Sequence, residues 1–368
     1  MSGPPPDVDV VVVGAGVGGL AVADALSIDR SVLVLERRDR TGGRLHSVVR
    51  QGVGLDLGAS WFWPGERRVA ALVEDLGIAT HAQHLDGDAM YQDAAGARRV
   101  QGNPIDVPSG RFSTGAASIT DALAARLEPT VLRTSTTVHR IRLGSDRVEV
   151  AHDDSLTTAA DVVLALSPAL VAHGIEIEPE LPRPLRGLAA TTPVWMGAIA
   201  KVVARYAAPF WRDEGLAGAA ISHSGPMREV HDLSGPDGEP AVLFGFAPLR
   251  DGVATPTEDE LLGQLVDLFG PAAGAPEELL VADWRADPAT SPPGVERITT
   301  YATYGHPAYQ EPWGAGRLHW ASTETSPVAP GHVEGALAAA ERAVRAIEGR
   351  SGTDRPTEET RHGHADAR

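Results

Sequence analysis

The chain has 368 residues, of which 43% are hydrophobic, so it exceeds one typical domain and supports a sizeable core; two closely packed domains are expected. A formal charge of -17 argues against nucleic acid and anionic membrane as partners, and the lack of a bilayer-length apolar run or a charged, apolar leader reads as a soluble cytoplasmic protein. With no cysteine, disulfides, thiolate catalysis, iron–sulfur ligation and flavin attachment through a cysteine sulfur are excluded.

A short polar, proline-rich lead-in gives way to a β-branched run at Val8 and Val10–Val13. Three glycines follow in GxGxxG spacing, at Gly14, Gly16 and Gly19. Ala21, Val22, Ala25 and Leu26 then recur with helical spacing, and Val32–Leu35 reads as a second buried strand ending at Glu36. Each part has a chemical use. Gly14 permits the turn, Gly16 lets backbone approach a pyrophosphate, and Gly19 lets helix and strand pack closely. The helix start at Val17 and Gly18 offers free N–H groups to phosphates. Glu36, 22 residues after Gly14, is placed to accept both ribose hydroxyls of an adenosine. The pattern predicts an adenine-dinucleotide site without choosing between NAD and FAD.

Arg37 to Arg40 are followed by Gly42-Gly43-Arg44. This reads either as backbone pressed against a ligand, with Arg44 on a cofactor phosphate and Arg37 flanking the adenosine, or as a solvated basic loop. Val53, Leu55 and Leu57 alternate with Gly54, Asp56 and Gly58, and Ala59-Ser60-Trp61-Phe62-Trp63 follows. Small residues before three rings suggest backbone lining a flat ligand; core aromatics are the alternative. A helix is predicted over 66–76, with Val69, Leu72, Val73 and Leu76 on one face. Residues 80–115 are irregular, with 89–91 and 98–100 as a candidate strand pair. A helix over 118–127, a strand over 130–133, a hairpin from Val138 to Val150 and a buried strand at Asp161–Leu166 follow. That last strand is expected to return to the nucleotide-binding sheet. Pro179, Pro182 and Pro184 then mark a linker.

Val194 to Arg205 reads as a strand with Lys201 inside it. An unpaired lysine is rarely buried, so Lys201 is either a catalytic-site amine or a strand-edge residue reaching solvent. Pro209-Phe210-Trp211 adds aromatic material. Strands at 219–222 and 241–246 complete a second, antiparallel sheet. A helix over 258–269, a strand over 279–284 and a rigid loop at Pro288–Gly294 come next. Tyr301, Tyr304, Tyr309 and Trp313 read equally as pocket lining or loop packing. A strand at Leu318 and a helix over 331–346 close the chain. Beyond Gly349 the tail is polar and expected to fray; His362 and His364 in it are not read as a metal site.

Taken together, these stretches resemble the FAD-dependent amine oxidase family, which includes monoamine, polyamine and L-amino-acid oxidases. Val12–Leu20 with Glu36-Arg37 resembles its adenosine and pyrophosphate motif, Gly42-Gly43-Arg44 its second phosphate and flavin contact, and Asp56–Trp61 a stretch running close to the flavin. Ser322–Thr325 and Gly331–Ala336 resemble the closing flavin motif and last helix, bringing Glu324 and Val333 to the cofactor. The resemblance implies that the Val138 backbone holds adenine and that Lys201 contacts flavin N5 through a water. It covers about 8–66, 116–215 and 280–348. Three departures stand out. Only about 135 residues separate Trp61 from Lys201, a compact substrate region that predicts a reduced lid. The family's closing cage tyrosine falls on His332, and its other cage ring falls in the ringless Pro293-Gly294-Val295 loop. With no cysteine, FAD is expected to bind non-covalently.

The expected fold class is α/β: a Rossmann-like FAD-binding domain with an interleaved smaller substrate domain on a mixed or antiparallel sheet. The expected segments are 8–78, 116–175 and 286–348 for FAD binding, a substrate-side insertion at 79–115, a substrate domain at 176–285 and a disordered tail at 349–368. The resemblance implies hydride transfer from an amine α-carbon to flavin N5, with O2 reoxidation giving H2O2 and imine hydrolysis giving an aldehyde or keto product. Lys201 would orient a water, and Trp61, Trp211 and His332 would wall the pocket. His332 is a base or hydrogen-bond partner on one reading and structural on the other. Among Arg205, Arg228 and Arg317, none is singled out to read a substrate carboxylate. The alternatives are a flavin desaturase or dehydrogenase of a biosynthetic intermediate, and a non-catalytic flavin-binding partner protein. The partners expected are a small amine and O2, with no metal; a homodimer is left open.

Overall fold

The structure is a computed structural model that describes residues 5–50, 52–297 and 300–353. The Val8–Val13 and Val32–Leu35 strands run parallel and fully in register, Val10 facing Val32 and Val13 facing Leu35. Ser155–Leu164 flanks the other side of Val8–Val13, again parallel, so the expected return to the nucleotide-binding sheet is observed. Leu132–Arg133, Val148–His152, Val138–Leu143, Glu176–Glu178 and Leu318–Trp320 complete an eight-stranded sheet. Its central strand has no polar side chain between Val10 and Val13 because both faces are covered. One face packs on the helices Val17–Leu26, Ala117–Arg126 and Val333–Thr353, the other on Leu181, Leu185 and Tyr309.

A second sheet runs in the order Glu278–Asp283, Ile199–Tyr206, Ala241–Pro248, Glu229–Asp232, Leu216–Ser222, Asp88–Asp93, Gly96–Val100. It is antiparallel except where Leu216–Ser222 pairs parallel with Asp88–Asp93, so it is mixed. The 89–91 and 98–100 pairing is present, Ala89 opposite Val100. The strand period of two sorts its side chains. Ala200, Val202 and Ala204 face the core capped by the Glu258–Phe269 helix, whereas Val203, Val242 and Phe244 pack on Leu55 and Leu57 from the other body. Lys201 falls on that second face by the same alternation.

Three expectations are corrected. The proline-marked linker holds a helix, Arg183–Thr191, because proline is tolerated in a first helical turn and Leu185 and Ala189 give it a buried face. Glu176–Glu178 pairs with Val138–Leu143, and Leu181 and Leu185 join the first sheet's core, so the chain stays with the first body beyond 176. The strand expected from Val194 begins only at Ile199, since Met196 adopts φ +65 in a turn that brings Trp195 inward. The last helix continues to Thr353; residues 354–368, with His362 and His364, lie outside the described residues. No helix among the described residues is long and apolar enough to cross a membrane.

Candidate active site

Where the two parallel strands end, Gly14 turns the chain at φ +103, and a Cβ there would sit 3.0 Å from the Ala165 carbonyl oxygen. Gly19 packs the following helix onto that turn: a Cβ would lie 2.0 Å from Gly14 O. Glu36, 4% exposed, accepts from the Ala15 amide at 2.8 Å and the Arg38 amide at 2.9 Å, which fixes its carboxylate across the turn. The Val17–Leu26 helix has no side-chain N-cap, so its first N–H groups are left for an anion. Gly16 bridges to Gly42, and Gly58 runs so close to Arg44 that a Cβ would meet its carbonyl oxygen at 1.9 Å.

These segments wall one cavity of about 950 Å³. Every cofactor residue singled out from the sequence lines it except Gly19, which packs behind the turn, and Glu324. Glu324 is fully buried and acts one layer back, accepting from Arg44 Nη1 at 2.6 Å and Nη2 at 3.2 Å. Among the candidates for the reacting end, Lys201, His332 and Trp61 line the cavity and Trp211 does not. Trp211 is a correction: it is fully buried in the second sheet's core, and its Nε1 donates to Asp232 Oδ2 at 2.8 Å. The short Phe210–Asp213 helix turns its ring into that core, away from the ligand space.

Lys201 is 0% exposed. Its Nζ donates to Gly58 O at 2.6 Å and to Ser60 Oγ, and it lies 4.4 Å from the Phe244 ring centroid. Burial pushes its pKa down to about 7; nearby Asp56 opposes this and Arg111 adds to it. Asp56 is itself raised by burial, with Arg111 and Lys201 pulling the other way. Its Oδ1 accepts from Ser47 Oγ at 2.6 Å and the Ala116 amide at 2.8 Å, while Oδ2 lies 3.9 Å from Arg111 Nη2. The lysine is thus held at the wall by the loop that carries Gly58 and Ser60. Arg111, which donates to Ser60 O at 3.0 Å, braces the same loop.

On the opposite flank the rings are not those the resemblance implies. Gly294 lines the cavity with no side chain, as expected, but Trp63, Trp195 and Tyr301 stand in its wall with His332. Trp63 packs on His332 with the rings tilted by 33° and centroids 4.7 Å apart, Trp195 lies 6.4 Å away and Tyr301 packs on Trp195 at 5.6 Å. Glu66 accepts from His332 Nδ1 at 2.6 Å and from the Trp63 amide at 3.0 Å. Trp195 and Glu66 carried no sequence signal as site residues; the first hid in an apolar run, the second at a helix start. Of the four late aromatics only Tyr301 reaches the cavity, while Tyr309 is core and bonds Thr192 at 2.7 Å. Arg228 also reaches the wall, whereas Arg205 pairs with Glu277 and Arg317 bonds the Ala160 and Ser145 carbonyls.

An unsubstituted turn at an uncapped helix, a fixed carboxylate at a strand end and a glycine-lined cavity fit an adenine-dinucleotide cofactor, and the adjoining lysine-walled chamber fits a redox group beside its substrate. That defines a dinucleotide-binding oxidoreductase. Residues 109–348 match the model of the flavin containing amine oxidoreductase family, and residues 12–76 that of the NAD(P)-binding Rossmann-like domain. The chain belongs to the flavin containing amine oxidoreductase family, and its cofactor is FAD. It is 28% identical to AofH of Mycobacterium tuberculosis, provisionally named a flavin-containing monoamine oxidase, over 94% of this chain and 98% of that one. It is 24% identical to the putrescine oxidase of Kocuria rosea, over 89% and 92%. The fold is that of cyclohexylamine oxidase from Brevibacterium oxydans IH-35A, with a TM-score of 0.82 at 24% identity, covering 94% of this chain and all of the other. The alignment with AofH runs over 456 positions against the 368 residues of this chain, so long gaps fall on this chain's side.

Proposed function

We propose that this protein oxidises a small amine to an imine, which hydrolyses to an aldehyde or keto product, with O2 as the final acceptor and H2O2 as the second product. FAD supplies the acceptor for the hydride lost from the amine's α-carbon. The residues named as cofactor contacts would hold it: the Gly14–Gly18 turn, Gly43 and Arg44 at the phosphates, Glu36, Arg37 and Val138 around the adenosine, and Gly58–Ser60 and Val333 along the flavin. No cysteine is available for a thioether, so binding is non-covalent at that group.

The observation that carries this reading is Lys201. A fully buried amine in a cofactor cavity is costly unless it has work there, and burial brings it to about 7, where it can hold or release a proton near neutral pH. Lys201 would orient a water at the reacting face. Trp61, Trp63 and Trp195 supply ring surface in the cavity wall that suits an amine's hydrocarbon part. The test is Lys201→Met. FAD should stay bound while reduction by benzylamine or reoxidation by air slows on the order of 10²-fold, the lower range for a positioned proton-transfer group. If both rates are unchanged, Lys201 has no part in the reaction.

A further inference from the structure

We propose that His332 and Glu66 form a proton-accepting dyad that takes a proton from the substrate ammonium before oxidation. This rests on the amine-oxidising reading above. An amine at neutral pH arrives as R–NH3+, whose nitrogen has no lone pair to assist loss of hydride from the neighbouring carbon. One proton has to leave first. His332 Nε2 accepts it, the N–H bond of the ammonium breaking as the new N–H bond on the imidazole forms, and the product is R–NH2 beside an imidazolium.

The geometry assigns the roles. Glu66 presents Oε1 to His332 Nδ1 at 2.6 Å, and a carboxylate only accepts, so Nδ1 carries the proton and Nε2 the lone pair. Among the described residues Nε2 has no protein hydrogen-bond partner, and the imidazole, 34% exposed, stands in the cavity wall. Glu66 is held in turn: its other oxygen accepts from the Trp63 amide at 3.0 Å, and the Trp63 ring packs against the imidazole. The pair also sits where two helices are tied together. Glu334, at the start of Val333–Thr353, accepts from the Arg68 and Val69 amides at 2.9 and 3.0 Å, supplying the cap that Arg67–Asp75 lacks from its own N-cap residue. Residues 66 and 332 therefore meet at a fixed joint, not through flexible loops.

The charged surroundings are already paired. Glu334 is matched by Arg68, at 3.0 Å, and Glu324 behind Trp195 is matched by Arg44, at 2.6 Å. Glu66 is thus the carboxylate that meets the ring directly, and it stabilises the imidazolium once the proton has moved.

The test measures FAD reduction in the holoprotein, anaerobically, at saturating benzylamine across pH. In wild type the rate should fall on the acid side. His332→Gln should lower the neutral-pH rate on the order of 10²-fold and remove that acid limb. Glu66→Gln should lower the neutral-pH rate by less, since the base remains and only its counter-charge is lost. Retained flavin absorbance confirms folding of both. Independently of turnover, 15N-histidine spectra should show His332 protonated at Nδ1 and bare at Nε2, and should lose that bias in Glu66→Gln. An unchanged limb in His332→Gln, or a proton resident on Nε2 in wild type, overturns the dyad. A wild type that no amine reduces overturns the amine-oxidising reading instead, and the spectra still decide the tautomer.

Discussion

Arg44 and Glu324 lie 280 positions apart in the chain and face each other through two hydrogen bonds, at 2.6 and 3.2 Å. The pair closes the cofactor-binding body, joining the loop after its second strand to the segment before its last helix. It also grips Trp195, whose amide donates to Glu324 at 3.3 Å and whose carbonyl accepts from Arg44 at 3.2 Å. Burial alone would pull the Arg44 pKa down; Glu324 more than offsets it. Glu324→Ala leaves a guanidinium without its counter-charge and should cost about 3 kcal/mol, the lower end for breaking a buried pair because Arg44 is 25% exposed. The urea midpoint of the holoprotein reads this, and the variant should also lose FAD more readily on dialysis.

Lys201 makes stability pH-dependent with a definite sign. The unfolded chain keeps it protonated to about 10.5, while the fold brings it to about 7. Between these values the unfolded state binds more protons, so this residue's contribution rises with pH across the window and is a full penalty below it. Wild type should show a rise in urea midpoint between about pH 7 and pH 9, and Lys201→Met should flatten it. A rise of equal size in the variant would place its origin elsewhere.

Trp211 is a core residue, so its variants should report on stability alone. Trp211→Phe removes one donor from Asp232, which keeps Arg212 Nε at 2.8 Å. The expected loss is about 1–3 kcal/mol, with FAD retention and amine KM unchanged. A raised KM would return Trp211 to the pocket.

Local pattern and chemistry revealed the cofactor half in the sequence, and long-range packing hid much of the reacting half. Gly14 to Gly19 and Glu36 sit on one βαβ unit and Arg44 on the loop that leaves it, where neighbours in sequence are neighbours in space. Lys201 was visible because a lysine inside a β-branched run breaks the strand pattern. Glu66 and His332 are 266 positions apart, and only the crossing of two helices brings them together. Trp195 was masked by the apolar residues around it, and its inward turn depends on the positive φ at Met196. The helix at Arg183–Thr191 is hidden in the sequence because three nearby prolines outweigh the spacing of Leu185, Leu188 and Ala189.

Gly58 tests the close approach beneath the flavin-side loop. Its Cβ would need to displace the Arg44 backbone, so Gly58→Ala should cost about 1–3 kcal/mol as an overpacking change and weaken FAD binding. Fluorescence titration of the apoprotein with FAD measures the second effect. Unaltered affinity would mean that the loop relaxes without moving Lys201's acceptor at Gly58.

An amine should reduce the flavin in this cavity, and O2 should reoxidise it. The direct measurement mixes the holoprotein anaerobically with a panel of primary amines and amino acids, follows the flavin absorbance, and then admits air. At least one amine should bleach the flavin, and air should restore the colour with release of hydrogen peroxide. Bleaching without rapid recovery would make the protein a dehydrogenase. A bound flavin that no member of the panel reduces would contradict the account.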